Sequence, residues 1–516
     1  MALSTEVKAG LITAAATLAV GLLALNQALV GVFYDDGLYA GLATALAHGL
    51  GYVHPNLPGL PGAVHYPPLY PVVLTPLFGL FSVHTAALTA KVLNALFGAS
   101  AAGLIAWHAT RVDILGLRSP SPNGRGGQGV RTGAPAVLVF AAAIAIPVLA
   151  TQTVLFAEPL FAVLLAFAVV ATDQQKSPWL VGVAGALALL TRSIGIAIVA
   201  GVVCFLIVRL RSPSPEGRGG QGVRTLVPVL LPPVVAAIGW SLWVAVHRSQ
   251  IDPALALGYG TYFAHLSQAG LSAIGTNVPD MSRPLEALAF GWIPVRWLYE
   301  IVSMLALGIG LFGLALLTRR SSVGFVLIFY LLILAVWPHP PDRFLWAILP
   351  WLVLAWALGA AELARRWPRL RVPVAALVCL VVGGYLYYEV RGFSGRWWDT
   401  QARAISANFA ELLPIVATLP DSAVLATDDE ALVWLYARRR AVPLYLESFR
   451  GSEIVRPTAE EHRAYLDRMG VTHILLASSS SPSAIELRTL IGAYPRMLSA
   501  LYRWPDGRWL FVVNRE

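Results

Sequence analysis

The chain has 516 residues, 57% of them hydrophobic and 13% charged, with a mean hydropathy of +0.67. Soluble domains carry about a quarter charged residues, so this composition excludes a soluble enzyme, a disordered chain and a disulfide scaffold, and it describes a multi-pass membrane protein. The formal charge of +9 is almost entirely arginine, the lysines being Lys8, Lys91 and Lys176; it lies largely in short segments between apolar runs, which fits the positive-inside bias and not a nucleic-acid face.

Residues 9–33 form an apolar run long enough to span a bilayer, read as a retained first helix because a cleaved signal has a shorter apolar core. Further runs at 85–109, 134–150, 155–172, 178–191, 194–210, 227–247, 297–318, 322–337, 344–361 and 372–389 bring the spanning candidates to about eleven, several near the lower length limit. Arg111, Arg118, Arg125 and Arg131 follow the second run. Arg209, Arg211, Arg218 and Arg224 follow the sixth, Arg319 and Arg320 the eighth, and Arg365, Arg366, Arg369 and Arg371 the tenth. These loops share one side if the N-terminus is cytoplasmic, which puts 34–84, 248–296, 338–343 and everything after 390 outside. Cys204 and Cys379 sit in apolar stretches and read as small buried hydrophobes.

After residue 390 the character changes. Short β-rich runs at 423–426, 472–476 and 509–513 alternate with helical patterns at 402–418, 428–438 and 458–469. The expected organisation is a transmembrane module over 1–390 and a small extracytoplasmic α/β domain over 391–516. Residues 117–132 (LRSPSPNGRGGQGVRT) recur at 210–225 with Glu216 in place of Asn123. Each copy matches G-x-G-x-x-G but lacks the strand–turn–helix setting of a dinucleotide site, so both read as duplicated flexible cytoplasmic linkers without a catalytic role.

The first outer segment carries the chemistry. Residues 33–50 read FYDDGLYAGLATALAHGL, a helix along the membrane surface with Asp35 and Asp36 at its N-terminal end. A Pro/Gly-rich turn follows, and Pro67 and Pro68 suit the first turn of a second interfacial helix. Consecutive side chains on a helix diverge, so one aspartate is the candidate functional carboxylate while its neighbour caps or orients. The alternative is that both only cap the helix.

An acidic pair after the first helix, YPPLYP at 66–71, FAEPLF at 156–161, LALLTRSIG at 187–195 and PDRFLWAILP at 341–350 together resemble the GT-C superfamily of lipid-linked-sugar glycosyltransferases. More narrowly they resemble its protein O-mannosyltransferase and lipid A aminoarabinose transferase relatives (glycosyltransferase family 39). The resemblance covers most of residues 1–360. It implies an α-helical multi-pass body of GT-C type, a polyprenyl-phosphate-linked sugar as donor, and a hexosyl or pentosyl transfer on the extracytoplasmic side with inversion. It also implies a cell-envelope acceptor (protein, lipid or glycan) and Asp35 as catalytic base, with Asp36 as its neighbour. Where some relatives carry Lys before the proline pair, this chain has Tyr66 preceded by His65, which reassigns the donor-phosphate contact.

The chemistry follows from the residue types. An acceptor hydroxyl is a poor nucleophile until a carboxylate takes its proton, and a lipid phosphate leaves more easily beside a positive charge. Arg192 and Arg343 are the main candidates for that charge, with Arg296 and His65 behind them. Snorkelling to the interface is the alternative for both main candidates. Glu158 starts a helix from the outer side; it positions acceptor, helps hold a divalent metal with Asp35 and Asp36 if the chemistry uses one, or only complements the helix dipole. Asp280 and Asp342 read as loop carboxylates, and Asp428, Asp429 and Glu430 as an acidic helix start. The competing reading is a multi-pass transporter or lipid-handling protein without transferase activity. Against it, the halves show no similarity beyond the linker, and the polar candidates gather at the outer face. An envelope assembly or adhesion protein ranks last.

Overall fold

The computed structural model describes residues 3–116, 128–211, 221–262, 266, 273–395, 397–450 and 453–514. Residues 117–127 and 212–220 of the two repeat copies lie outside these; the closing residues of each copy, 128–132 and 221–225, are already the first turn of the next helix.

Every apolar run contains α-helix. In chain order the helices are α1 (Thr5–Leu23), α2 (Asp35–Ala47), α3 (Leu69–Leu80), α4 (Val83–Arg111), α5 (Gln128–Ile144), α6 (Ile146–Gln152) and α7 (Glu158–Asp173). There follow α8 (Pro178–Thr191), α9 (Ile196–Arg211), α10 (Gln221–His247), α11 (Ile274–Phe290), α12 (Arg296–Leu317) and α13 (Val323–Ala335). The one-turn α14 (Asp342–Trp346), α15 (Leu349–Arg366) and α16 (Arg371–Gly395) complete the body. Helices α1 and α4 cross at small residues: a Cβ on Gly10 would lie 2.8 Å from that of Trp107, and one on Gly103 2.8 Å from that of Ala14. Close backbone approach of this kind replaces the hydrophobic drive that lipid does not supply.

Among the described residues five helices are long and apolar enough to cross a bilayer, Thr5–Leu23, Val83–Arg111, Leu226–Gln250, Arg296–Leu317 and Pro368–Gly395; a bent pair makes up to six. The first helix stops at Leu23 instead of continuing to residue 33, because Ala28, Val30 and Val32 are buried against protein. The bent pair turns by 67° between Ile144 and Ile146. Pro147 cannot continue the hydrogen-bond ladder, and both carboxylate oxygens of Glu389 accept from the freed Ile146 N–H at 3.2 Å. Asp280 lies within helix α11 and not in a loop, and Asp342 begins α14.

Past Gly395 the chain forms α17 (Thr400–Val416), α18 (Glu430–Ala437), α19 (Ala459–Arg468) and α20 (Pro482–Ala493) around a five-stranded sheet. Its strands β1 (Val424–Thr427), β2 (Arg440–Pro443), β5 (His473–Leu476), β6 (Leu498–Arg503) and β7 (Trp509–Val513) run in the order β2-β1-β5-β7-β6; β3 (Ser448–Arg450) and β4 (Glu453–Val455) pair apart. The first three of these strands are parallel, and β7 and β6 are antiparallel. Strand β1 is buried along its whole length, which is why it reads as a continuous apolar run.

The sheet domain is not a free appendage. One hydrophobic core joins α2 and α3, through Leu38, Leu42 and Leu74, to Val442, Ile474 and Leu487 of the tail. Backbone bonds lock the two together: Ala441 N donates to Asn56 O at 2.8 Å, Leu29 N to Ser406 Oγ at 2.9 Å and Val30 N to the Tyr436 hydroxyl at 3.2 Å.

Candidate active site

The site is built on a turn of unusual geometry. Tyr34 has φ 64° and ψ −74°, and Asp35 N donates to Phe33 O at 2.8 Å. This is a γ-turn with a positive φ, a strained conformation for an aromatic residue. Three contacts hold it. Lys91 Nζ, reaching from α4, donates to Asn26 O at 2.7 Å and Ala28 O at 2.8 Å. The Asp36 carboxylate accepts from Phe33 N at 3.0 Å and Gly37 N at 2.9 Å. Gly31, at φ 108°, presses on α18 so closely that a Cβ there would lie 2.5 Å from that of Leu432. The strain therefore separates the neighbours: Asp36 closes the turn, and Asp35 turns to Tyr66 and Arg343, which line a small cleft.

In that cleft the Tyr66 hydroxyl donates to Asp35 Oδ1 at 2.6 Å, and Arg343 pairs through Nη2 with Oδ2. Arg343 Nε lies 2.9 Å from Glu158 Oε1, and Arg192 pairs with the same oxygen. The guanidinium of Arg343 rests over Phe156, 4.6 Å from its centroid, and that of Arg192 over Phe344 at 4.4 Å. Two short motifs thus interlock, since FAEPLF supplies a carboxylate and a ring to Arg343, and PDRFLW supplies a ring to Arg192. The Arg343 side chain is 32% exposed and that of Arg192 8%, so Arg343 is the more accessible of the two cations. Tyr39, Tyr66, Tyr262 and Trp337 line the cleft beside the two arginines.

The two aspartates differ electrostatically. Burial works against the charge of Asp35, but the Arg343 charge, the hydrogen bonds from Tyr66 and Arg343, and His65 outweigh it and hold the carboxyl below its usual value. Burial pushes Asp36 up to about 6, only partly offset by the N–H groups of Gly31, Phe33 and Gly37 and by Lys91. Asp35 is consequently an ionised carboxylate at neutral pH.

Other candidates divide. His65 lies beside the cleft, its Nδ1 2.6 Å from Gly260 O and its ring 4.6 Å from Tyr66 and 4.2 Å from Tyr262. Arg296 is not brought in: it is exposed and pairs with Glu300 at 2.8 Å. Tyr66 bonds the carboxylate itself, so its hydroxyl orients Asp35. The metal reading does not fit the geometry. Asp36 is turned into its own loop, Arg343 bridges Asp35 to Glu158, and among the described residues no three His, Cys, Asp or Glu side chains could hold an ion.

Sequence reasoning missed Lys91, Phe156, Phe344 and Tyr262. Lys91 had a usable signal, a lone charge within an apolar run, since such charges are costly in a membrane helix unless they bond something. Tyr262 had none.

No protein-family model matches the chain, and no curated protein does. Solved structures do. An archaeal oligosaccharyltransferase, AglB from Archaeoglobus fulgidus in complex with an inhibitory peptide and a dolichol-phosphate, superimposes with a TM-score of 0.52 at 11% identity over 99% of this chain and 74% of that one. ArnT from Cupriavidus metallidurans in the apo state covers 97% of both chains at 15% identity and a TM-score of 0.40. At such identities the likeness is one of fold. The chain shares the fold of the archaeal structure, an α-helical multi-pass membrane body carrying a small C-terminal α/β domain.

Proposed function

We propose that the chain is an inverting membrane glycosyltransferase that moves a sugar from a polyprenyl-phosphate donor to a hydroxyl of a cell-envelope acceptor on the extracytoplasmic side. The observation that carries this reading is the setting of Asp35, a carboxylate held ionised by Tyr66 and Arg343 at the mouth of a cleft in a GT-C body. The structure of similar fold was solved with a dolichol-phosphate, which supports a lipid phosphate as the donor class. Loop arginines support a cytoplasmic N-terminus and an outer site.

The acceptor oxygen attacks the anomeric carbon on the face opposite the phosphate. Its proton passes to Asp35, the carbon–phosphate-oxygen bond breaks, and its electron pair leaves with the polyprenyl phosphate. Arg343 meets the charge that develops there; in the free protein Asp35 and Glu158 keep its guanidinium in position. Glu158 and the buried Arg192 act as the positioning pair behind it. Asp35→Asn keeps the shape and removes the base. Transfer from a polyprenyl-phosphate sugar by the purified, lipid-reconstituted protein should fall by about 10²–10⁴-fold, whereas full retained activity would remove Asp35 from the role.

A further inference from the structure

A cavity of about 570 Å³ lies beside Tyr34. The outer segment contributes Tyr34 and Tyr259 to its wall, and the sheet domain contributes Asp428, Asp429, Glu430 and Glu447. Among the described lining residues there is no lysine or arginine, although the chain carries 37 such residues against 28 Asp and Glu. The rest of the polar lining is neutral, as at Asn408 and Ser481.

A helix start does not account for this cluster. Glu430 begins α18, but the preceding Asp429 makes no side-chain cap bond. Glu430 is fully buried, and its Oε1 accepts the Tyr259 hydroxyl, which itself accepts from Asn56 Nδ2 at 2.8 Å. Its Oε2 is buried without a hydrogen-bond partner beside the cavity it lines. A buried carboxylate oxygen left unmatched is costly, and native folds keep such a group where something satisfies it. Burial raises Asp428 to about 6 and Glu430 to about 7, and burial with the charges of Asp428, Glu430 and Asp36 raises Asp429 well above its ordinary value. An entering cation relieves that repulsion, and an anion meets it in full.

We propose that this cavity is the acceptor pocket and that it selects an acceptor carrying a protonated amine near the hydroxyl to be glycosylated, with Glu430 Oε2 as the primary partner of the ammonium. The proposal rests on the reading of Asp35 as base. Tyr34 lines this cavity and the next residue in the chain, Asp35, bonds Tyr66 and Arg343, so an acceptor seated here lies one residue from the base.

Glucosamine and N-acetylglucosamine serve as probes, because they share a hydroxylated ring and only the first is a cation. Calorimetry on the full chain in nanodiscs should show glucosamine binding at least tenfold tighter. Glucosamine should raise the apparent KM for the acceptor and leave that for the donor unchanged. Glu430→Gln should abolish the preference, and Asp35→Asn should leave it intact. Equal affinity for the two sugars in the wild-type chain, or inhibition against the donor, overturns the pocket without depending on any variant's folding. If Asp35→Asn keeps full transfer activity while amine selectivity persists, the catalytic reading fails and the cation site stands. If Asp35→Asn abolishes transfer while selectivity is absent, the pocket alone fails.

Discussion

Two runs of acidic residues, Asp35-Asp36 and Asp428-Asp429-Glu430, look alike on paper, each opening a helix. The fold treats them in opposite ways. At 35–36 a strained turn parts the two carboxylates and brings a cation to each neighbourhood, Arg343 from 308 residues away and Lys91 from α4. At 428–430 the carboxylates stay together with no cation among the described lining residues; Asp428 accepts from Ser483 and Glu430 from Tyr259. Asp35 is held below its ordinary value and Glu430 is raised. The difference teaches that a carboxylate's role is set by what the rest of the chain brings to it. A carboxylate paired with a cation stays ionised at neutral pH, and an unpaired buried one holds its proton more tightly.

The comparison can be broken at its cation. Arg343 uses Nε and Nη2 to meet two carboxylates at once, a geometry lysine cannot reproduce. Arg343→Lys should therefore lower transfer by about 10²–10³-fold despite the retained charge, measured as initial rates with saturating acceptor. Wild-type rates would show that charge alone suffices.

The unpaired cluster makes a statement about stability. The folded-state value of Glu430 is raised from 4.5 to about 7, so the folded chain binds its proton more tightly than the unfolded one. Its contribution is complete below pH 4.5 and is lost as pH rises through 7, by up to about 3 kcal/mol. Asp428 and Asp429 act in the same direction. Thermal unfolding of the wild-type chain should therefore show a lower midpoint at pH 8 than at pH 5, and Glu430→Gln should shrink that gap; an unchanged gap would separate Glu430 from the effect.

The smallest effect sharpens the paired side. Tyr66 donates one hydrogen bond to Asp35 and so helps keep it ionised. Tyr66→Phe should cost about tenfold in rate and move the acid limb of the pH–rate profile upward, because the carboxylate then titrates at higher pH. A drop in rate with an unmoved acid limb would assign Tyr66 to the sugar and not to the base.

Much of the architecture was legible in local pattern. The helical patterns at 402–418 and 458–469 correspond to Thr400–Val416 and Ala459–Arg468, and the strand pattern at 509–513 to Trp509–Val513, because periodicity and capping act within a few residues. The helices after the acidic pair and after the proline pair were legible for the same reason, but α2 is buried from Asp36 to Ala45 and not laid on a surface. What escaped notice depends on distant partners. The apolar run at 24–33 looked like lipid-facing helix, yet it is buried under the sheet domain. Strand β2 is four residues long and β6, though six, is largely exposed, so neither carries a strong hydrophobic signal.

By itself the sequence determined that the chain is a many-helix membrane protein with a small α/β tail, and that its few charges at 35, 36, 158, 192 and 343 are the residues to examine. Composition and hydropathy suffice for this, because the bilayer rejects charge wherever the chain does not use it. Only the tertiary structure decided that Arg343 bridges Asp35 to Glu158, that Arg296 stands apart, and that Asp428 to Glu430 surround a cavity without a counter-ion. Those outcomes depend on contacts between segments hundreds of residues apart, where the Coulomb and burial terms are set by spatial neighbours that no local pattern encodes.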